Sequence, residues 1–157
     1  MEYSLEFSER LIESAEAIFH SSSEKEEAGR AILYLSCLSC EISLKALLES
    51  CGYRPDELKK HSHKLDDLLN VIGTCKITGT NQRATSIRSK EVVPNIANGT
   101  VGKLLDSSLA GGSVYPNEIR YGEVVTHFPP EAMLNCAKVV NIWCKEHEGG
   151  LVRAANS

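Results

Sequence analysis

Residues 24–51, EKEEAGRAILYLSCLSCEISLKALLESC, decide the fold. They contain no proline and a single glycine, Gly29, and they stop at Gly52 with Pro55 just beyond. That is the punctuation of a helix C-terminus, where glycine takes the left-handed turn and proline cannot continue the ladder. A helix of roughly 28 residues, about 42 Å long at 1.5 Å per residue, is the expectation. At 100° steps Ile32, Leu35, Ile42 and Ala46 fall on one flank and Leu33, Cys37, Cys40, Leu44 and Cys51 on another. A helix apolar on so many sides belongs at the centre of a core, and its surplus apolar surface suggests a partner helix across a two-fold, hence a homodimer.

Two strips interrupt that surface. Gly29, Ser36, Ser43 and Ser50 recur every seven residues with Ser39 nearby, a stripe along which a neighbouring helix can approach closely. Tyr34, Leu38, Glu41, Lys45 and Leu48 form the other, in which a Glu and a Lys at i and i+4 sit among large apolar side chains. A polar pair in an apolar setting is either a ligand site or a self-satisfied internal ion pair.

Working outward, Phe7, Leu11, Ile12, Ala15, Ile18 and Phe19 mark a helix over about 3–20 with one buried stripe. Ser23 and Glu26 have capping-box spacing at the start of the central helix. After the turn GYRPDELKKH, Ser62 is placed to cap a helix over HKLDDLLNVI that Gly73 would end, making a hairpin with the central helix. Pro129 and Pro130 open a last helix whose core face carries Met133, Cys136, Ala137, Val140, Trp143 and Cys144. The tail 151–157 is expected to fray. Between 74 and 113 Gly, Thr, Ser and Asn dominate and no period holds. An unstructured loop of that length is improbable in a compact domain, so a strand is expected at SIRSKEVV and a helical turn at GKLLDSSLA.

At 157 residues and 42 % hydrophobic content the chain suits one domain, taken as 1–150. A net charge of −4 argues against wholesale coating of nucleic acid and confines any polyanion site to a local patch; Lys76, Arg83, Arg88, Lys90 and Lys103 do cluster along one segment. The start, MEYSLEFSER, lacks a basic segment followed by an apolar run, and no uncharged apolar stretch of bilayer length is evident, so a cytoplasmic location without a membrane is expected. The six cysteines are then expected as free thiols. Cys37 and Cys40 form a mid-helix CxxC with no second pair at ligand spacing, so neither a metal nor another cofactor is expected. His61 and His63 flank Ser62 at a helix start, where the dipole favours a neutral imidazole.

CEISLKALLESCG followed by HSHKLDDLL resembles the core hairpin of the HEPN family (higher eukaryotes and prokaryotes nucleotide-binding domain), in which a helix carrying Glu and Lys ends in a small-residue turn and a His-x-Leu pattern begins the next helix. Glu41, Lys45 and His63 match those positions. Downstream, YPNEIRYGE resembles the family's Tyr followed by Arg-Tyr-Pro-Asp: Tyr115, Arg120 and Tyr121 match, whereas Gly122 and Glu123 depart. The resemblance covers about half the chain and implies an all-α, up-and-down bundle of four to five helices with an irregular, partly β insertion at about 74–113. It implies, too, a dimer, a nucleotide or RNA ligand held by Glu41, Lys45, His63, Arg120 and Tyr121, and a nucleotidyltransferase-fold partner of the toxin–antitoxin kind.

Many such proteins are metal-independent ribonucleases through Arg-x4-6-His, where His assists attack of the 2′-hydroxyl on phosphorus and Arg stabilises the developing charge. Arg120 and His127 meet that spacing and are the candidate catalytic pair. Roughly 0.7 such matches arise by chance in a chain with this much Arg and His, and Arg54 with His61 is another. A third reading is a non-catalytic interaction protein.

Overall fold

The computed structural model describes residues 1–22, 26–92, 99–106, 115–121 and 129–154. It is mostly helical. In chain order the elements are α1 (Leu5–Ser22), α2 (Glu26–Ser50), α3 (Pro55–Lys59), α4 (Leu65–Thr74), β1 (Lys76–Ile77), a 3₁₀ turn (Ser86–Ser89), α5 (Val101–Leu104), α6 (Asn117–Tyr121), α7 (Pro130–His147) and β2 (Leu151–Val152).

The central helix runs from Glu26 to Ser50. It closes with a Schellman turn: Tyr53 N–H donates to the Leu48 carbonyl and Gly52 N–H to that of Glu49, with Gly52 at φ +104° where a side chain would be strained. Ile32, Leu33, Cys37, Cys40, Leu44 and Ala46–Leu48 are buried, as both apolar flanks require. By length and composition residues Glu27–Ser50 could cross a bilayer although they carry charged side chains such as Glu41 and Lys45, but most of that stretch is buried inside the fold. α1, α7 and α4 pack on α2 within one chain, so its composition carries no separate argument for a partner helix.

The small-residue stripe is where its neighbours come close. Ser8 Oγ on α1 donates to the Ser39 carbonyl at 2.9 Å and Ser39 Oγ returns a bond to the Ser8 carbonyl at 3.0 Å, while Asn141 on α7 reaches the Leu5 carbonyl at 3.2 Å and Ser43 Oγ at 3.3 Å. A Cβ on Gly29 would stand 3.1 Å from the Pro130 ring. These contacts also fix directions. Glu9 pairs with Lys145 and Glu16 with Lys138, so α1 and α7 are antiparallel. Gly29 lies by Pro130 and Ser43 by Asn141, so α2 and α7 are parallel. The up-and-down expectation therefore holds for α1 and α2 alone; residues 52–129 carry the chain back before α7 begins.

That return begins with α3, which the sequence shows only as a turn. Its first amide, on Arg54, is capped by the Glu57 carboxylate at 2.7 Å. The expected Ser62 cap and helical hairpin do not form. Ser62 sits at φ +50° in a turn where Lys64 N–H bonds the His61 carbonyl, and α4 starts at Leu65 without a side-chain cap. His63 is thereby left off the helix, free to turn inward. Gly73 lies inside α4, which ends one residue later at Thr74.

In the irregular segment, Ser86–Ser89 form a 3₁₀ turn where a strand was expected, and a single antiparallel bridge joins Glu91 to Thr100. The helical turn falls at Val101–Leu104, capped by Thr100. Ile87, Val92, Val101 and Leu105 are buried and attach this segment to the core. The tail is not frayed at its start: Leu151–Val152 pair antiparallel with Lys76–Ile77, and Arg153 grips both Glu57 oxygens at 3.0 and 2.8 Å while lying 4.0 Å over the Tyr53 ring. Glu57 is held down to about 2 by the Arg153 hydrogen bonds and the Arg54 amide. Arg153 also donates to the Gly52 carbonyl at 3.2 Å, and the Glu49 carboxylate accepts from the Glu2 and Tyr3 amides at 3.0 and 2.9 Å. Ser23, Val93 of the expected strand, residues 107–110 of the expected helical turn and residues 155–157 lie outside the described residues, and so does the test of the Ser23–Glu26 capping box.

Candidate functional site

The strip Tyr34, Glu41, Lys45 faces the α3–α4 turn and the start of the α6 segment. Glu41 is the hub. Its Oε2 accepts from Lys45 Nζ at 2.9 Å, and its Oε1 accepts from the Tyr115 hydroxyl at 2.5 Å and meets His63 Nδ1 at 2.7 Å. The Glu41 and Lys45 side chains are 7 % and 5 % exposed, whereas His63 is 42 % exposed. Burial alone would raise the Glu41 pKa, but the hydrogen bonds from Tyr115, Lys45 and His63 and the charge on Lys45 hold it below the usual carboxylate range. Burial and the Glu41 charge push the Tyr115 phenol far up, so it remains a donor. With Glu41 ionised, His63 donates through Nδ1, and a neutral ring then has Nε2 as its acceptor. The cluster Glu41, Lys45, His63, Tyr115 satisfies itself, and its formal charge is zero with His63 neutral.

Arg120 and Tyr121 lie elsewhere. α6 rests against the N-terminal half of α2, where Arg30 Nε donates to the Ile119 carbonyl. Between the two helices opens a cleft of about 470 Å³ lined by Glu27, Arg30, Ala31, Tyr34, Ile119, Arg120 and Tyr121. Arg120 stacks 4.9 Å over the Tyr121 ring and donates to its hydroxyl at 2.7 Å, and the Tyr121 side chain is 74 % exposed. Arg30 is 3.6 Å from Glu27, so two guanidinium groups face one carboxylate and the cleft is net positive. Tyr34 joins the two regions, lining the cleft and standing 5.9 Å from the Tyr115 ring, whose edge meets His63 at 5.8 Å.

The five ligand-binding candidates thus separate into Glu41, Lys45 and His63 round a buried carboxylate and Arg120 with Tyr121 on an open cleft. His127 lies outside the described residues, so the Arg120–His127 pair has no geometry here. Arg30, Tyr34 and Tyr115 are the additions. Tyr34 shares the helical strip of Glu41, and Tyr115 is part of the resemblance, but nothing marks Arg30 in the sequence, because its role depends on where α6 lands. Cys37 and Cys40 are fully buried among apolar groups, and the described residues hold no cluster of His, Cys, Asp and Glu arranged for a metal ion.

No family model matches this chain, nor does any curated protein or solved structure.

Proposed function

We propose that the chain is a HEPN-like nucleotide- or RNA-binding module whose ligand lies in the cleft between α2 and α6. The observation that carries this reading is one opening that presents two guanidinium groups, Arg30 and Arg120, beside two aromatic rings, Tyr34 and Tyr121. Guanidinium forks match phosphate oxygens, and aromatic faces stack nucleobases that are not paired in a helix. The cleft volume falls in the range typical of small-molecule sites. Its net positive charge distinguishes it from the Glu41 cluster, where the Lys45 ammonium is buried against the Glu41 carboxylate.

In this reading Glu41 and Lys45 are positioning residues. Lys45 holds the Glu41 carboxylate, which holds Tyr115 and His63, and Tyr115 backs Tyr34, the inner wall of the cleft. His63, the exposed member, is the one able to offer a nitrogen to a ligand.

The test is titration calorimetry and fluorescence anisotropy with a nucleoside triphosphate and a short single-stranded RNA, on the wild type and Arg120→Ala. Binding that weakens at least tenfold in the variant and falls with added salt supports the reading. Binding that is absent, or indifferent to Arg120, sinks it. RNA integrity followed in the same samples with a chelator present assays the ribonuclease alternative. The dimer and nucleotidyltransferase-fold partner rest on the resemblance; solution mass and co-purification test them.

A further inference from the structure

On the outer side of the β1–β2 ribbon the chain sets two cations side by side. Past β1 the backbone turns through Gly79, at φ +80°, and comes back. Arg83 then forms an antiparallel bridge with Lys76, flanked by bonds from the Ile77 amide to the Gln82 carbonyl and from the Ala84 amide to that of Cys75, each 2.9 Å. Lys76 also pairs with Val152. Arg83, Lys76 and Val152 thus stand in one row across three backbone segments. Cys75, Ala84 and Leu151, the alternate positions, are buried, so the row points outward and all three members are exposed.

Like charges directly opposite each other on paired segments weaken the ladder, so stability does not account for this pair. Among the described residues neither Lys76 nor Arg83 is in an ion pair. Protecting a sheet edge from aggregation calls for charge on the outer segments, yet Lys76 lies on the central one. Both belong to residues 76–103, where Lys76, Arg83, Arg88, Lys90 and Lys103 are opposed by Glu91 alone, in a chain of net charge −4. The later cations lead away from the ribbon. A Cβ on Gly73 would stand 3.5 Å from Thr85, and Arg88 donates to the Asn70 side chain and, at 3.4 Å, to the Asp66 carbonyl, so 85–88 run back from the end of α4 towards its start. Exposed Lys90 follows, and its carbonyl accepts from the Val101 amide at 3.0 Å, which sets it near the exposed Lys103. The start of α4 adjoins the turn carrying His63, whose ring meets Tyr115 behind the cleft.

We propose that Lys76, Arg83 and the cations that follow them are a track for the phosphate backbone of a single-stranded RNA whose stacked bases occupy the cleft between α2 and α6. The inference rests on the cleft reading above and makes its ligand a strand rather than a mononucleotide. The ribbon lies at the end of α2 remote from Arg30, since Arg153, next to Val152, bonds the Gly52 carbonyl. That separation is about 30 Å along the helix at 1.5 Å per residue. A strand advancing about 3.4 Å per phosphate covers it in roughly nine nucleotides. Each phosphate set against one of these side chains gains a charge-assisted contact and releases a counterion. RNA suits this face better than an acidic protein does, because protein interfaces keep charge out of an apolar centre and the row offers Val152 alone as apolar surface.

The experiment titrates the full chain into two labelled uridine oligonucleotides, about five and about twenty nucleotides long, one shorter and one longer than that reach. Anisotropy is followed over a salt series, with ATP binding measured by calorimetry, for the wild type, Lys76→Gln with Arg83→Gln, and Arg120→Ala. The wild type should hold the long RNA at least tenfold tighter than the short. The Lys76 and Arg83 double variant should lose that advantage, and its slope of log affinity on log salt should become shallower by about 1.4, or 0.7 for each lost phosphate contact. ATP and the short RNA should bind it as they bind the wild type. Circular dichroism should show it melting no lower than the wild type, as removal of a repulsion requires, and Lys90→Gln with Lys103→Gln, away from the ribbon, repeats the test. Wild-type affinity and salt slope for the long RNA in both double variants overturn the track, whereas the cleft reading stands or falls separately on ATP binding by Arg120→Ala. A wild type that binds ATP but no RNA removes the track and leaves the cleft. Displacement of the long RNA by polyglutamate at matched charge assigns the face to an acidic protein and overturns the proposal.

Discussion

Around Glu41, four polar side chains close on one another beneath the surface; around Arg30, two guanidinium groups and two tyrosines stay open to solvent. Both clusters draw on α2 and on the stretch from Tyr115 to Tyr121, and their residue types are nearly the same. What separates them is burial and charge balance. Inside, Lys45 is cancelled by Glu41, so the group's energy goes into holding α2, the α3–α4 turn and Tyr115 together. At the cleft, positive charge exceeds negative, so part of it is left for a ligand. Chemistry alone does not tell a site from a strut; exposure of an unbalanced charge does.

The hardest blow to this contrast would come from Glu41→Ala. It strands a buried ammonium together with the Tyr115 hydroxyl, and a stability loss of about 3–5 kcal/mol in urea denaturation is expected. Arg120→Ala, on an exposed side chain, should move stability by less than about 0.5 kcal/mol. Equal effects from the two variants would erase the distinction between interior and cleft.

Next in size is the converse measurement. Arg120→Ala should weaken nucleotide or RNA binding by about 2 kcal/mol in anisotropy titrations, for loss of a charge-assisted phosphate contact. Tyr121→Ala should cost about 1 kcal/mol of affinity, the low end for one stacked base, with an unchanged thermal midpoint. A Tyr121 variant that binds normally would move the base-stacking role to Tyr34.

The smallest effect is on pH. Because the folded Glu41 pKa lies below its ordinary value of 4.5, the ionised network contributes stability that is present above that value and lost as pH falls through the lowered one. The stability gap between wild type and Glu41→Gln should therefore narrow with acidification below about pH 4.5, measured as urea midpoints. A gap that widens there would mean that the folded Glu41 pKa lies above its ordinary value rather than below it.

The long helices α1, α2 and α7 are legible because their apolar residues repeat at 3.6 and their ends carry Gly52, Pro129 and Pro130. The parallel course of α2 and α7 is not, since periodicity gives a helix its buried faces but not its direction. α3 is too short to show a period, and the β1–β2 ribbon pairs a dipeptide from the middle of the chain with one near its C-terminal end, where no local pattern exists. Within the site, Glu41 and Lys45 were visible as charges out of place on an apolar strip. Their role as an internal support depended on Tyr115 arriving from far along the sequence. Arg30 was invisible for the opposite reason: a charge on the first turns of a helix is what any solvated face contains.

Both ends of the described chain are pinned to the same end of α2, the Glu2 and Tyr3 amides on Glu49 and Arg153 on Gly52. Arg30 lies nineteen residues back along that helix from Glu49, about 28 Å away at 1.5 Å per residue. A probe attached beside Glu2 or Arg153 would therefore stand clear of the cleft between α2 and α6.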